Sequence, residues 1–148
     1  DLAFSCYKDA TSTSTDSMVF LQSATGFCGT VPSYRLPTKG ARAVALGDVD
    51  GDGRVDIAFA NGFAGGTTEL DSYVYWGKAG GGFESTPLGL KTVGADDVKL
   101  ADLDGDGDLD VVFANYKNNV PSYSVDSYVY LNQGSRTFPA GQGTEMQG

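Results

Sequence analysis

Histidine is missing from this chain altogether, and cysteine occurs only twice, at Cys6 and Cys28. Those absences remove His-based catalytic triads and the ordinary His/Cys zinc sites. Basic residues are scarce, ten Lys and Arg against nineteen Asp and Glu. A nucleic-acid partner is therefore not expected, because no basic stripe exists to displace counterions from a phosphate backbone. No apolar run approaches the roughly 20 residues of a membrane-spanning helix, so membrane insertion is not expected either. The chain contains no N-x-S/T acceptor for N-linked sugar. It also shows no secretory leader, which reads as a mature, processed or fragmentary chain. Long helical periodicity is lacking too, while glycine is abundant at 21 of 148 residues. The class this favours is all-β.

What the chain does have is acid, and the acid is concentrated. Residues 48–56 read DVDGDGRVD and residues 102–110 read DLDGDGDLD. Nine of the nineteen acids lie in these two stretches, 54 residues apart. Carboxylates packed this closely raise each other's pKa unless a cation sits among them. Calcium takes about 6–8 oxygens at about 2.3–2.6 Å, from carboxylates, main-chain carbonyls and water. Asp48, Asp50, Asp52 and Asp56 supply the acids of the first loop, with Arg54 offering its carbonyl from position 7. Asp102, Asp104, Asp106 and Asp110 repeat the set, with Asp108 in the carbonyl position. Gly53 and Gly107 fall where the chain must turn sharply around an ion. The expectation is two Ca²⁺ sites, which would offset about four of the nine net negative charges. An EF-hand is excluded, because it needs a bidentate Glu at position 12 and flanking helices. Phe59 and Phe113 stand at that position, and the residues that follow alternate as in a strand.

The loops belong to a longer repeat of about 55 residues. Residues 1–6 (DLAFSC) match 56–61 (DIAFAN) and 110–115 (DVVFAN). Residues 16–21 (DSMVFL) match 71–76 (DSYVYW) and 126–131 (DSYVYL). Phe27, Phe83 and Phe138 mark a third recurring point. Each full unit reads as four short strands: about 42–47, 56–61, 72–76 and a fourth from Phe83, then about 96–101, 110–115, 126–131 and 137–140. Ile57 and Phe59 fall on one face of a strand, Ala58 and Ala60 on the other. The division is an incomplete first unit at 1–41, a second at 42–95, a third at 96–140 and a tail at 141–148. The polar, glycine-rich tail reads as a linker or a weak strand.

Tandem four-stranded units with D-x-D-G-D-G-x-x-D between their first two strands resemble FG-GAP/VCBS repeats, the calcium-binding blades of integrin α-subunit heads and related propellers. The resemblance implies antiparallel propeller-type blades, and it carries calcium ligation onto the ten loop residues above. Asp1 matches only the last ligand of such a loop. Family members usually close seven blades, and propellers in general four to eight. Under three blades therefore implies an open array, a fragment, or a propeller completed by other chains. Trp76, matched by Leu21 and Leu131, is expected in blade core. Tyr73, Tyr75, Tyr128 and Tyr130 are expected to pack between blades. The divergent loops 8–16, 62–71 and 116–126 are expected together, at the sheet ends opposite the calcium loops.

The function these features imply is a non-enzymatic, extracellular or cell-surface scaffold for adhesion or assembly. Its partners would be other copies of the chain, or further blades of a longer one, joined head to tail into a filament. A carbohydrate-binding propeller is the alternative, with glycans as partners, and an accessory domain of a secreted enzyme a third. Adjacent Asp96 and Asp97 are poor acid–base candidates, because neighbouring residues on a strand point to opposite faces. The Thr11–Thr15 tract suits O-linked sugar or an unmodified loop. Cys6 and Cys28 fall at opposite ends of their strands and read as two thiols rather than a bridge.

Overall fold

A computed structural model describes residues 1–8, 12–22, 26, 31–116 and 125–139, and the backbone of 144–146. Every element among these residues is a strand or a turn, in three antiparallel sheets. The first sheet is β1 (Leu2–Phe4), β2 (Asp16–Phe20) and β3 (Tyr34–Pro37), in that order. The second is β4 (Ala41–Gly47), β5 (Asp56–Asn61), β6 (Glu69–Tyr75) and β7 (Leu88–Val93). The third is β8 (Ala95–Ala101), β9 (Asp110–Asn115), β10 (Ser127–Tyr130) and β11 (Thr144–Met146). Strands adjacent in sequence are adjacent in space, so each sheet is a simple meander.

All three fourth strands differ from the sequence expectation; that of the first unit, expected at Phe27 and Cys28, is β3, starting at Tyr34. The fourth strand of the second unit starts at Leu88, not Phe83, because Phe83 only bridges Gly77 while Leu88, Leu90 and Thr92 alternate against β6. In the third unit residues 137–139 form no strand; the fourth is β11, drawn from the tail, pairing Thr144 with Val129. The 62–71 loop is also shorter than expected, because β6 begins at Glu69. Cys6 is a free thiol, which burial pushes above its usual pKa. Cys28, with its half of the cysteine reading, lies outside the described residues, as do parts of the 8–16 and 116–126 loops.

Alternation along β5 divides the core in two. Ile57 and Phe59 pack with Val19, Leu36 and Tyr75 against the first sheet. Ala58 and Ala60 point the other way, joining Val74, Trp76, Val98, Val111, Phe113 and Tyr130 against the third. The same rule operates at both junctions: an aromatic pair from the later sheet meets the earlier one. The rings of Phe59 and Tyr75 meet edge to face at 6.2 Å, and those of Phe113 and Tyr130 at 6.1 Å. Full burial of one such ring contributes about 1.5–3 kcal/mol.

Polar bonds fix the junctions. The Tyr75 hydroxyl donates to the Pro37 carbonyl and the Tyr130 hydroxyl to that of Lys91, each at 2.5 Å. Asn61 accepts from the Lys39 amide and donates to the Asp71 carbonyl. Asn115 does the same with Val93 and Asp126. Cys6, at the corresponding place in the first unit, cannot accept and donate in this way. Among the described residues no buried side-chain nitrogen or oxygen lacks a partner.

Candidate metal centres

Each acidic loop joins the first two strands of a four-stranded sheet, between Gly47 and Asp56 and between Ala101 and Asp110. Four hydrogen bonds recur in both. The position-6 amide, of Gly53 or Gly107, donates to the position-1 carboxylate, of Asp48 or Asp102. The position-5 amides of Asp52 and Asp106 donate to Asp50 and Asp104. The position-7 amides of Arg54 and Asp108 donate to Asp52 and Asp106. The position-2 amides of Val49 and Leu103 donate to buried Asp56 and Asp110, both at 2.8 Å. The glycine requirement at position 6 is met: φ is +83° at Gly53 and +98° at Gly107, in the left-handed region.

These bonds turn carboxylates inward. Oxygens of Asp48, Asp50 and Asp56 lie within 4.8 Å of one another, and so do oxygens of Asp102, Asp104 and Asp106. Oxygens around one calcium stand no more than about 5 Å apart, twice the Ca–O distance. The two acidic groups can therefore each hold a metal ion, and the hard oxygen donor set suits calcium. Electrostatics agree. Burial, and then the charge of Asp50, holds the Asp56 carboxyl above its usual range against the opposing amides. Local desolvation and the charges of Asp106, Asp110 and Asp102 do the same to Asp104. A cation held among them would relieve both.

The two centres differ in what surrounds them. In the first loop Asp52 is drawn aside by the Arg54 guanidinium at 2.5 Å, and Asp50 is held by Arg136 at 2.6 Å. Arg136 comes from the turn after β10 and also reaches Glu84 at 2.7 Å, its guanidinium 4.8 Å over the Trp76 ring. Ser135 and Arg136 hold left-handed backbone angles, φ 51° and 67°, at a cost of about 1–2 kcal/mol each. Asn132, beside them, donates to the Val49 carbonyl at 2.6 Å. The third sheet thus grips the acidic loop of the second. Asp102, Asp104 and Asp106 in the second loop are exposed. Sequence reasoning missed Asn132, Arg136 and Glu84, since nothing local marks a residue whose partner is 83 or 86 positions away.

The position-9 acid has a further task. Asp56 accepts from the Gly77 amide with its second oxygen, and Asp110 from that of Asn132, each at 2.8 Å. Asp1 does the same for Gln22 at 2.8 Å.

At the opposite sheet ends lies a cleft of about 260 Å³ lined by Tyr7, Arg42, Phe63, Thr68 and Tyr116. It gathers residues from the loops that follow β1, β5 and β9, so the expected separation of these loops from the acidic ones holds for the described residues. Both β4 and β8 carry an irregularity here, at Arg42 and Asp96, and these two residues pair at 2.7 Å. The Arg42 guanidinium also lies 4.9 Å over the Tyr7 ring. Asp97 turns away to Lys99 at 2.8 Å, so the adjacent acids do not converge. Among the described residues no helix is long and apolar enough to cross a membrane. The chain gives no significant match to protein-family models, curated proteins or solved structures.

Proposed function

We propose that this protein is a non-enzymatic scaffold of FG-GAP/VCBS-type repeats, whose sheets are propeller-like blades and whose acidic loops each bind one Ca²⁺. The observation that carries the reading is the set of four hydrogen bonds repeated position for position in two loops 54 residues apart. The bound ions neutralise carboxylates that otherwise repel, and so stiffen the end of each sheet. Such sites fill where calcium is near millimolar, so the protein works outside the cell or at its surface, in adhesion or assembly. Its partners are blades like its own. Calorimetric titration of chelator-stripped protein tests the reading: two ions per chain are expected, with a higher unfolding midpoint in calcium than in EDTA. A featureless titration together with an unmoved midpoint would remove it.

A second reading, carbohydrate binding, draws on the cleft at the other end. Tyr7 and Tyr116 are both exposed there, Tyr116 by 51%, and flank an arginine whose charge Asp96 balances. Aromatic faces beside fixed polar groups suit a sugar ring. Retention on a glycan array that disappears with Tyr116→Ala would favour it.

A further inference from the structure

We infer that a second copy of this chain docks head to tail on the first, seating the outer face of its β1–β2 pair on the outer face of the β8–β11 sheet. The inference deepens the assembly reading by naming the partner and both faces, and it does not depend on the metal.

Each internal junction brings a phenylalanine from a unit's second strand and an aromatic from its third against the preceding sheet. The first sheet carries the same pair. Phe4 and Phe20 meet edge to face at 5.8 Å and 85°, matching Phe59 with Tyr75 and Phe113 with Tyr130 at 80°. The two later pairs are buried, but Phe4 is 47% exposed and its neighbour Leu2 45%. The first sheet therefore presents the inserting half of a junction to solvent.

The receiving half is at the other end of the row. In the second sheet it consists of Ala58, Ala60, Val74 and Trp76, all buried beneath the third sheet. The matching residues of the third sheet are Val112, Ala114, Val129 and Leu131, which alternate with inward-facing Val111, Phe113 and Tyr130 and so point away from the core. Ala114 is exposed and Leu131 is 37% exposed. They form a floor of small and aliphatic side chains, although on β8 the Asp97–Lys99 pair, its side chains exposed, stands where Ala43 and Ala45 of β4 help to receive Phe113 and Tyr130.

Three sheets in a row do not close on themselves, since closure takes at least about four. In the 148-residue chain the two faces cannot meet each other, whereas a second copy carries the complement of each. The contact is heterologous, so every docked copy offers a fresh face to the next. It is also weaker than the internal junctions. Phe20 stands where Tyr75 and Tyr130 stand, and lacks the hydroxyl that each of these gives to the preceding sheet. Association should therefore be reversible and depend on concentration.

Sedimentation of the 148-residue chain tests this, with Phe4→Asp to block the inserting face and Ala114→Asp to block the receiving one. Wild-type mass should rise with concentration, and each variant alone should stay monomeric. An equimolar mixture should double the monomer mass and stop there, because one intact face of each kind remains. A wild type that stays monomeric, variants that assemble like it, or a mixture that stays monomeric would each overturn the inference. Both substitutions are at exposed positions; circular dichroism checks folding, and Leu2→Asp with Leu131→Asp repeats the test independently. Running the series in calcium and in EDTA separates the two readings. If calcium binding fails, the midpoint does not move while the masses still respond; if docking fails, the midpoint moves while the mass stays that of one chain.

Discussion

The Arg136 guanidinium lies 2.6 Å from the Asp50 carboxylate although 86 residues separate them, so one sheet supplies a cation to the acidic loop of another. A calcium ion bound in that loop would compete with the guanidinium for Asp50. Arg136→Gln should tighten calcium binding at the first loop severalfold while lowering the stability of the ion-free protein by about 1–2 kcal/mol, a partly screened charge-assisted bond. Trp76, the single tryptophan, reports the event because Arg136 covers its ring. Its emission should shift to the red in the variant. An unchanged calcium isotherm would mean that ion and guanidinium do not compete.

Loss of a position-1 acid should remove one centre and leave the other. Asp48→Ala and Asp102→Ala are each expected to bind a single ion, and the double variant none. At a hundredfold excess of calcium over Kd each occupied site adds about 2.7 kcal/mol, so the shift between EDTA and calcium should roughly halve in either single variant. Two ions still bound by Asp48→Ala would reassign the ligands.

The tyrosine hydroxyls at the sheet junctions should contribute measurably. Burial pushes the phenols of Tyr75 and Tyr130 up to about 12, so both are neutral donors at physiological pH. Tyr75→Phe and Tyr130→Phe keep the ring packing and strand one carbonyl each, at a cost of about 1–2 kcal/mol in urea unfolding. Tyr73→Phe is the control, with a loss well below either. Equal losses at all three would detach the effect from the junction.

Acid should shrink the calcium effect. Asp56 and Asp104 have raised values in the folded, ion-free protein, so that state binds more protons than the unfolded chain. Their contribution is fully present below the ordinary carboxylate value and is lost as pH rises through the raised one. In EDTA the midpoint should therefore climb as pH is lowered from neutral towards about 4, whereas calcium needs these groups deprotonated and binds less. The gap between calcium and EDTA midpoints should be widest at neutral pH and close in acid. Calorimetry at stepped pH values would show it, and a gap that widens in acid would contradict the assignment.

The second strands were legible in the sequence because alternation and repetition coincide there: 56–61 and 110–115 stand as expected, and the two faces of β5 enter two cores. Tyr75 and Tyr130 were readable as junction residues for the same reason. The fourth strands were not. Phe83 and Phe138 are prominent apolar landmarks, but Phe83 packs beside Tyr34 at a turn, while β7 contains Gly89 and exposed Lys91 and looks weak by propensity. β11 is still less visible, a short pairing within a polar tail. The acidic loops were legible in part as a local code. Asp48, Asp50 and Asp56 converge, as do Asp102, Asp104 and Asp106, while Asp52 turns to Arg54 and Asp110 lies outside its convergent group. The grip of Arg136 and Asn132 upon the first was not, because it arises only when two sheets stack.

The bond from Gln22 to Asp1 separates two roles that the loops otherwise combine. Asp1 pins the end of its neighbouring strand as Asp56 and Asp110 pin theirs. The anchoring bond is made by the last acid alone, whereas a metal ion would need the earlier ones as well. A unit substituted at those earlier positions would then forgo an ion and keep its shape. If the loops bind ions as proposed, the mineral content of such a row is set unit by unit, and stiffness can be graded along its length without redrawing the sheets.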